Sequence, residues 1–301
     1  MKKLFIKLAK LLRYEIIDQN NFSSPTLNKK LNDDLSVLNQ KSIVLPLGEV
    51  KISRKVNSLL LVVRVNTEIE IWDQNKKRLF EQPKIEYSIR SLNSLFKSIS
   101  FCKKKYPNLE IKTVLVDDKS SETNLNRIRD LIKNQDVEIV QLNHEKFKSS
   151  IKAQNNEETF SNLASLKQSF EIGKDQSNDL IFFLEDDYLH FESMIEEMIS
   201  SYERIASQVK KDIFMCPSDY PYFYMNNEMT NILIGNKRHW RTINKTLCTF
   251  LTSKKLLNKY WQQFDKTCED RHDPFEKYLN EIYEKEICIS PIKSLSLHLT
   301  N

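Results

Sequence analysis

The stretch Asp179-Leu180-Ile181-Phe182-Phe183-Leu184-Glu185-Asp186-Asp187-Tyr188-Leu189-His190 decides how the chain is read. Leu180 to Leu184 form an unbroken apolar run, too short for a lone helix and suited to a strand buried on both faces of a parallel sheet. Three carboxylates follow at its carboxyl end. Adjacent acids repel one another and cannot all shed water cheaply, so they need a cation, a ring of donors or full exposure. In open α/β sheets ligands lie in the crevice outside the carboxyl ends of the strands, where these acids fall. A solvated acidic turn is the alternative.

Working outward, Ser58 to Asn66 (SLLLVVRVN) predicts a central strand, and Glu110 to Asp118 (EIKTVLVDD) predicts a second that ends in two aspartates. Helical spacing joins them: Ile85, Ile89, Leu92, Leu95, Phe96 and Ile99 recur on one face. A helix over Thr123–Lys133, a third strand at Val137–Leu142 and a helix over Glu157–Lys174 capped by Gly173 follow. Strand and helix thus alternate, which predicts a mostly parallel sheet flanked by helices. After a helix at Glu192–Ser207 the regularity fades into short apolar pieces, then a helix at Ser253–Phe264. The acidic turn Cys268-Glu269-Asp270-Arg271-His272-Asp273-Pro274 opens a last helix, with Pro274 in its first turn.

Three glycines (Gly48, Gly173, Gly235) exclude both a G-x-G-x-x-G loop and a P-loop, so phosphate is not held in a glycine cradle. A net charge of +5, spread along the chain, argues against a dedicated nucleic-acid binder. Five cysteines without a C-x-x-C pair point to a reduced, cytoplasmic setting in which they pack. Residues 1–13 interleave Lys2, Lys3, Lys7, Lys10 and Arg13 with Leu4, Leu8, Leu11 and Leu12. That pattern fits an amphipathic helix on the inner face of a membrane, or one docked on its own domain. Residues 1–57 are read as this helix and an irregular lead-in, and 58–301 as one domain with halves 58–190 and 191–301.

The succession VLVDDKSSE at Val114–Glu122, a helix-and-strand spacer, then NLASLKQSFEIGKDQSNDLIFFLEDDY at Asn162–Tyr188 resembles the nucleotide-binding half of a family 2 glycosyltransferase with the GT-A fold. The resemblance covers residues 58–190 and continues loosely to Asn301. It implies an α/β, Rossmann-like GT-A domain with an irregular acceptor-side half. It also implies metal-dependent, inverting transfer from a nucleoside diphosphate sugar to a glycan or lipid-linked acceptor, as in bacterial surface polysaccharide assembly. A catalytically silent binding protein, and more remotely a sugar nucleotidyltransferase, are the rival readings.

By the same resemblance, Arg64 and Asn66 line the nucleotide, Asp117 and Asp118 read its base, and Asp186 touches the ribose or the metal. Glu185 and Asp187 match the outer acids of the Asp-x-Asp motif and, with a late histidine at His298, would hold Mn²⁺ or Mg²⁺ on the diphosphate. Two departures stand out: Glu185 occupies a position where Asp is usual, and Lys119 one where glycine is usual. Direct inverting displacement needs a carboxylate base, for which Asp273, Asp270 and Glu269 are candidates; Asp273 could equally cap the helix. His239, Trp240 and Arg241 suit an acceptor sugar, against a buried Trp beside a surface Arg. His190 is a supporting or surface residue, and His144 lies in a polar loop.

Overall fold

Strand β1 (Ser58–Val65) is buried along almost its whole length, and so it lies inside the sheet. It pairs in parallel with β2 (Glu110–Asp117) and β4 (Leu180–Glu185), and β3 (Val137–Gln141) extends β2. Its side chains alternate between two layers. Leu59, Leu61, Val63 and Val65 share one buried cluster with α2 (Lys84–Lys105) and α6 (Met194–Val209), while Leu60 and Val62 share another with α5 (Glu157–Gln176), α8 (Trp261–Thr267) and α9 (Lys277–Tyr283). The sheet is therefore the middle of a three-layer sandwich. The computed structural model describes residues 2–14, 50–68, 79–153, 156–225 and 229–299.

Beyond β4 the sheet continues through β9 (Phe250–Ser253), β6 (Phe214–Met215), β10 (Cys288–Pro291), β8 (His239–Thr242) and β7 (Ile232–Ile234). Pairing changes here: β9 runs antiparallel to β4 and β6, β10 parallel to β6, and β8 antiparallel to its neighbours. A parallel first half and an irregular second half, with helices on both faces, give the α/β class expected from the sequence. A separate pair, β5 (Tyr188–His190) with β11 (Ser296–His298), sits just past β4 and sets Tyr188 opposite His298.

The remaining helices are α3 (Glu122–Ile132), α4 (His144–Phe147) and α7 (Lys254–Lys259). Three expectations need correction. Gly173 does not cap α5, which runs on to Gln176; a Cβ at Gly173 would stand 2.7 Å from Phe183 Cζ and 3.2 Å from Ile181 Cγ2, so glycine lets the helix close on β4. The helix expected over Ser253–Phe264 breaks at Tyr260, whose φ of −109° and ψ of 23° separate α7 from α8. The last helix, α9, starts at Lys277, so Pro274 precedes it instead of filling its first turn.

The chain divides into two units, Met1–Lys51 and Ile52–Asn301. In the first, α1 (Lys2–Leu11) leaves Phe5, Leu8, Leu11 and Leu12 exposed. Most of the lead-in, residues 15–49, lies outside the described residues, as do residues 69–78 of the charged excursion after β1. No helix among the described residues is long and apolar enough to cross a membrane.

Filling the Gly173 contact should overpack the α5–β4 seam. Gly173→Val is expected to lose about 1–3 kcal/mol, read as a lower urea midpoint at unchanged slope. An unchanged midpoint would mean that the seam yields without cost.

Candidate active site

Register places the first charged pair. Arg64 on β1 lies opposite Glu185 on β4, both face the α5 layer, and the guanidinium forms an ion pair with Glu185 Oε1. Asn162 Oδ1 of α5 accepts from Arg64 Nη1 at 2.6 Å, and Ser165 Oγ lies 3.3 Å away. A strand alternation of period two sends the next acid to the other face. Asp186 accordingly points at α2, where Lys84 Nζ and Ser88 Oγ each donate to it at 2.5 Å. Both Asp186 oxygens are engaged and the residue is 5% exposed. The expected ribose or metal contact for Asp186 thus gives way to an internal ion pair.

Asp187 returns to the open side. Its Oδ2 lies 3.2 Å from His298 Nε2, and its buried Oδ1 has no hydrogen-bond partner. Glu185, Asp187 and His298 bring one ligand atom each to within 4.8 Å of one another, and all three side chains are part-exposed. Two carboxylates and an imidazole suit a hard or borderline divalent cation such as Mg²⁺ or Mn²⁺. The orphaned Asp187 oxygen is a position such an ion would fill. The late histidine reaches the acids because β11 pairs with β5 and Leu299 N–H donates to Asp187 O at 2.9 Å.

The charges are mutually adjusted. Burial pushes the Glu185 carboxyl up, and Arg64 only partly opposes this. Burial also works to raise Asp187, but Lys84, His298 and Arg64 outweigh it and hold that carboxyl below the usual range. For His298, burial is outweighed by the hydrogen bond and charge of Asp187 and the charge of Glu185, which raise the imidazole above its ordinary value. His298 also stacks on Tyr188, with ring centres 4.6 Å apart, and Tyr188 Oη is 2.5 Å from Tyr220 Oη.

The β2 tip forms a second wall. Asp118 Oδ2 accepts from Asn66 Nδ2 at 3.2 Å, and its Oδ1 lies 2.7 Å from His144 Nε2. Asp117 is 1% exposed and its carboxyl is raised by burial; one oxygen accepts from Ser120 N–H at 3.3 Å and the other is unpartnered. Lys119 adopts φ 58°, so the turn keeps the left-handed form that glycine would favour, with lysine in its place. Ser121 then caps α3 by accepting from Asn124 N–H.

Other expected site residues sit elsewhere. Trp240 is wholly buried in the core and offers no face to a sugar, which corrects its acceptor role. Arg241 is buried as well, paired with Asp219 at 2.5 Å and set over the Tyr224 ring at 4.2 Å, while His239 is exposed at the start of β8. Glu269 pairs with Lys152 at 3.5 Å, Asp270 accepts from Arg271 N–H, and Asp273 is exposed. His190 is buried, pushed down to about 3 by burial and bonded to Ser296 Oγ at 2.8 Å.

Lys84, Ser88, Asn162 and Tyr220 were not read from sequence as site residues. Lys84 and Ser88 are four apart at the head of α2, but nothing in that spacing identifies Asp186 as their target. His144 was seen only as a loop residue; its reach to Asp118 depends on α4 following β3.

An α/β domain with a candidate divalent-cation site at the carboxyl edge of its parallel strands is therefore the frame. Among known proteins, no family model and no curated protein matches the sequence. Among solved structures, S. aureus TarS 1–349 is similar at 12% identity and TM-score 0.42, over 79% of this chain and 59% of that one. Galactosyltransferase LgtC, in complex with donor and acceptor sugar analogues, is similar at 13% and 0.37, over 76% and 72% of the two chains. UDP-glucose pyrophosphorylase complexed with UDP-glucose gives 10% and 0.39, over 81% and 93%. All three TM-scores lie below 0.5.

Removing Lys84 would strand a buried carboxylate. Lys84→Met should cost about 3–5 kcal/mol, and adding Asp186→Asn should recover part of it in the same urea titration. A single variant as stable as the parent would show that Asp186 needs no cation.

Proposed function

We propose that this protein is a metal-dependent glycosyltransferase that moves a sugar from a nucleoside diphosphate sugar to a glycan or lipid-linked acceptor. The observation that carries this reading is the convergence of Glu185, Asp187 and His298 at the sheet edge, in a domain whose β1 and β2 tips offer Arg64, Asn66 and Asp118. A Mn²⁺ or Mg²⁺ ion held by the three ligands would neutralise the charge that builds up on a departing diphosphate. Arg64 orients Glu185 through its ion pair, and Tyr188 fixes the His298 ring by stacking. Asp118, positioned by Asn66 and His144, presents a carboxylate suited to the N–H groups of a nucleobase.

Inversion would need a base on the acceptor side, and Asp270, Asp273 and Glu269 remain the proposed candidates. The exposed apolar residues of α1, with lysines between them in sequence, support contact with an anionic membrane surface at its cytoplasmic side. Assembly of a bacterial surface polysaccharide fits that placement.

Thermal unfolding with UDP, GDP, CDP, CMP and dTDP, each with and without Mn²⁺, tests the donor site. A ligand at about 100 times its dissociation constant adds about 2.7 kcal/mol, so one nucleotide should raise the melting temperature by several degrees, and only with metal. Asp187→Asn should abolish that shift. No metal-dependent shift with any of the five would sink the reading, and a shift without sugar transfer or donor hydrolysis would make the protein a binding module.

Metal binding should also depend on pH in a defined direction. A proton on His298 competes with the ion, so Mn²⁺ affinity should rise about tenfold per pH unit below the raised folded pKa of the imidazole and level off above it. Without metal the sign reverses. The His298–Asp187 pair stabilises the fold fully below the ordinary histidine value of about 6.5, and that contribution fades as pH rises through the folded value. His298→Asn should flatten the Mn²⁺ titration; an unchanged pH profile in that variant would remove His298 from the ligand set.

A further inference from the structure

A groove of about 1070 Å³ runs beside the candidate metal site, slightly above the roughly 300–1,000 Å³ usual for ligand pockets. One wall is α2, through Tyr87, Arg90 and Lys97; the other is the end of β5, through Leu189 and Phe191, and Phe80 also lines it. The groove begins where the site ends. Leu189 lies two residues beyond Asp187, and Leu299, which also lines the groove, follows His298 and bonds back to Asp187.

Its surface is apolar in an unusual place. Phe80, Leu189 and Phe191 are 72%, 40% and 49% exposed, so large apolar side chains meet solvent around one concavity. The lining carries two cations, Arg90 and Lys97, and two acids, Glu86 and Glu192. Glu86 is engaged by Arg127 at 2.7 Å, whereas Arg90 and Lys97 make no hydrogen bond or ion pair among the described residues. Glu192 is the other acid of the lining, and the furrow continues along α2 past Phe101 and Lys104. His190 lines the groove uncharged, since burial keeps its imidazole neutral.

We propose that this groove takes the apolar chain of an amphiphilic acceptor, with its anionic headgroup group set against Arg90 and Lys97. The word acceptor rests on the glycosyltransferase reading; binding of the amphiphile does not. A chain lying against Phe80, Leu189 and Phe191 would leave its anionic head on the α2 wall, at Arg90 and Lys97. A neutral glycan without an apolar chain would leave Arg90 and Lys97 without a counter-charge.

The test is calorimetric titration of the full chain with dodecyl phosphate below its critical micelle concentration, with inorganic phosphate and dodecyl maltoside as controls. Dodecyl phosphate should bind at least about tenfold more tightly than either control. Phe191→Asp and the pair Arg90→Glu with Lys97→Glu should each remove that advantage while melting temperature and Mn²⁺–nucleotide binding stay unchanged, because these side chains are exposed. Equal binding of dodecyl phosphate and inorganic phosphate, or full binding by both variants, would overturn the proposal. So would binding to phosphatidylglycerol vesicles without binding of the monomeric amphiphile, which would assign the surface to a membrane. If dodecyl phosphate binds but no nucleotide does, the groove stands and the glycosyltransferase reading falls.

Discussion

Three adjacent carboxylates at the tip of a buried strand cannot share one environment, and the organisation of this domain's edge follows from how they are separated. At the tip of β4, Asp186 turns to the α2 face and Glu185 and Asp187 to the other. Each side then needs its own positive charge. Lys84 supplies it on the first and Arg64 on the second, where His298 also lies beside Asp187. The inner pair is a fixed element with little access to solvent, so Lys84 and Asp186 anchor the strand tip to α2. The outer pair keeps partial exposure and an unsatisfied oxygen, the state of a site that has room for a cation. One run of sequence thus serves both as a structural rivet and as a ligand set.

That division explains which parts of the molecule were legible in the sequence. Apolar runs such as Leu59–Val63 and Leu180–Leu184 announce central strands because a strand covered on both faces has no polar side to show. The acids at the ends of β2 and β4 were legible for the same reason: a topology with parallel strands brings their carboxyl ends to one edge. Contacts between distant segments were not legible. Gly173 has the look of a helix cap until Phe183 is seen against it. Trp240 has the look of a sugar platform, but its place opposite Leu233 and Pro291 in the sheet puts it in the core. Propensity speaks to the neighbours along the chain, and these roles are set by neighbours across it.

Lys119 shows a third category, in which a residue departs from the expected type and the backbone does not. The turn after Asp118 takes a positive φ with a lysine, at a steric cost of roughly 1–2 kcal/mol by comparison with glycine. The surrounding bonds over-determine it: Asp118 N–H to Val65 O, Ser120 N–H to Asp117, and Thr67 N–H to Ser120 Oγ. The Lys119 side chain lies outside, beside Glu157, where it has no steric effect on the pocket wall. A missing glycine is therefore no sign that this wall has lost its shape.

The far side of the site is joined to the acids by a buried polar chain. Glu276 accepts from Thr246 N–H, Thr246 Oγ1 and Cys248 N–H, at 2.7–3.0 Å, and so holds a loop in which Leu247 and Cys248 both have positive φ. Thr246 O in turn lies 3.5 Å from Tyr220 Oη, which meets Tyr188, which stacks on His298. Each link is costly to leave unmade in a low-dielectric interior, so the chain tolerates few alternative arrangements. Glu276 sits in the same late segment as Glu269, Asp270 and Asp273, yet it is the one that is buried and fully bonded. The acid of that segment that is tied to the ligand set is thus the structural one, whereas Asp273 is exposed.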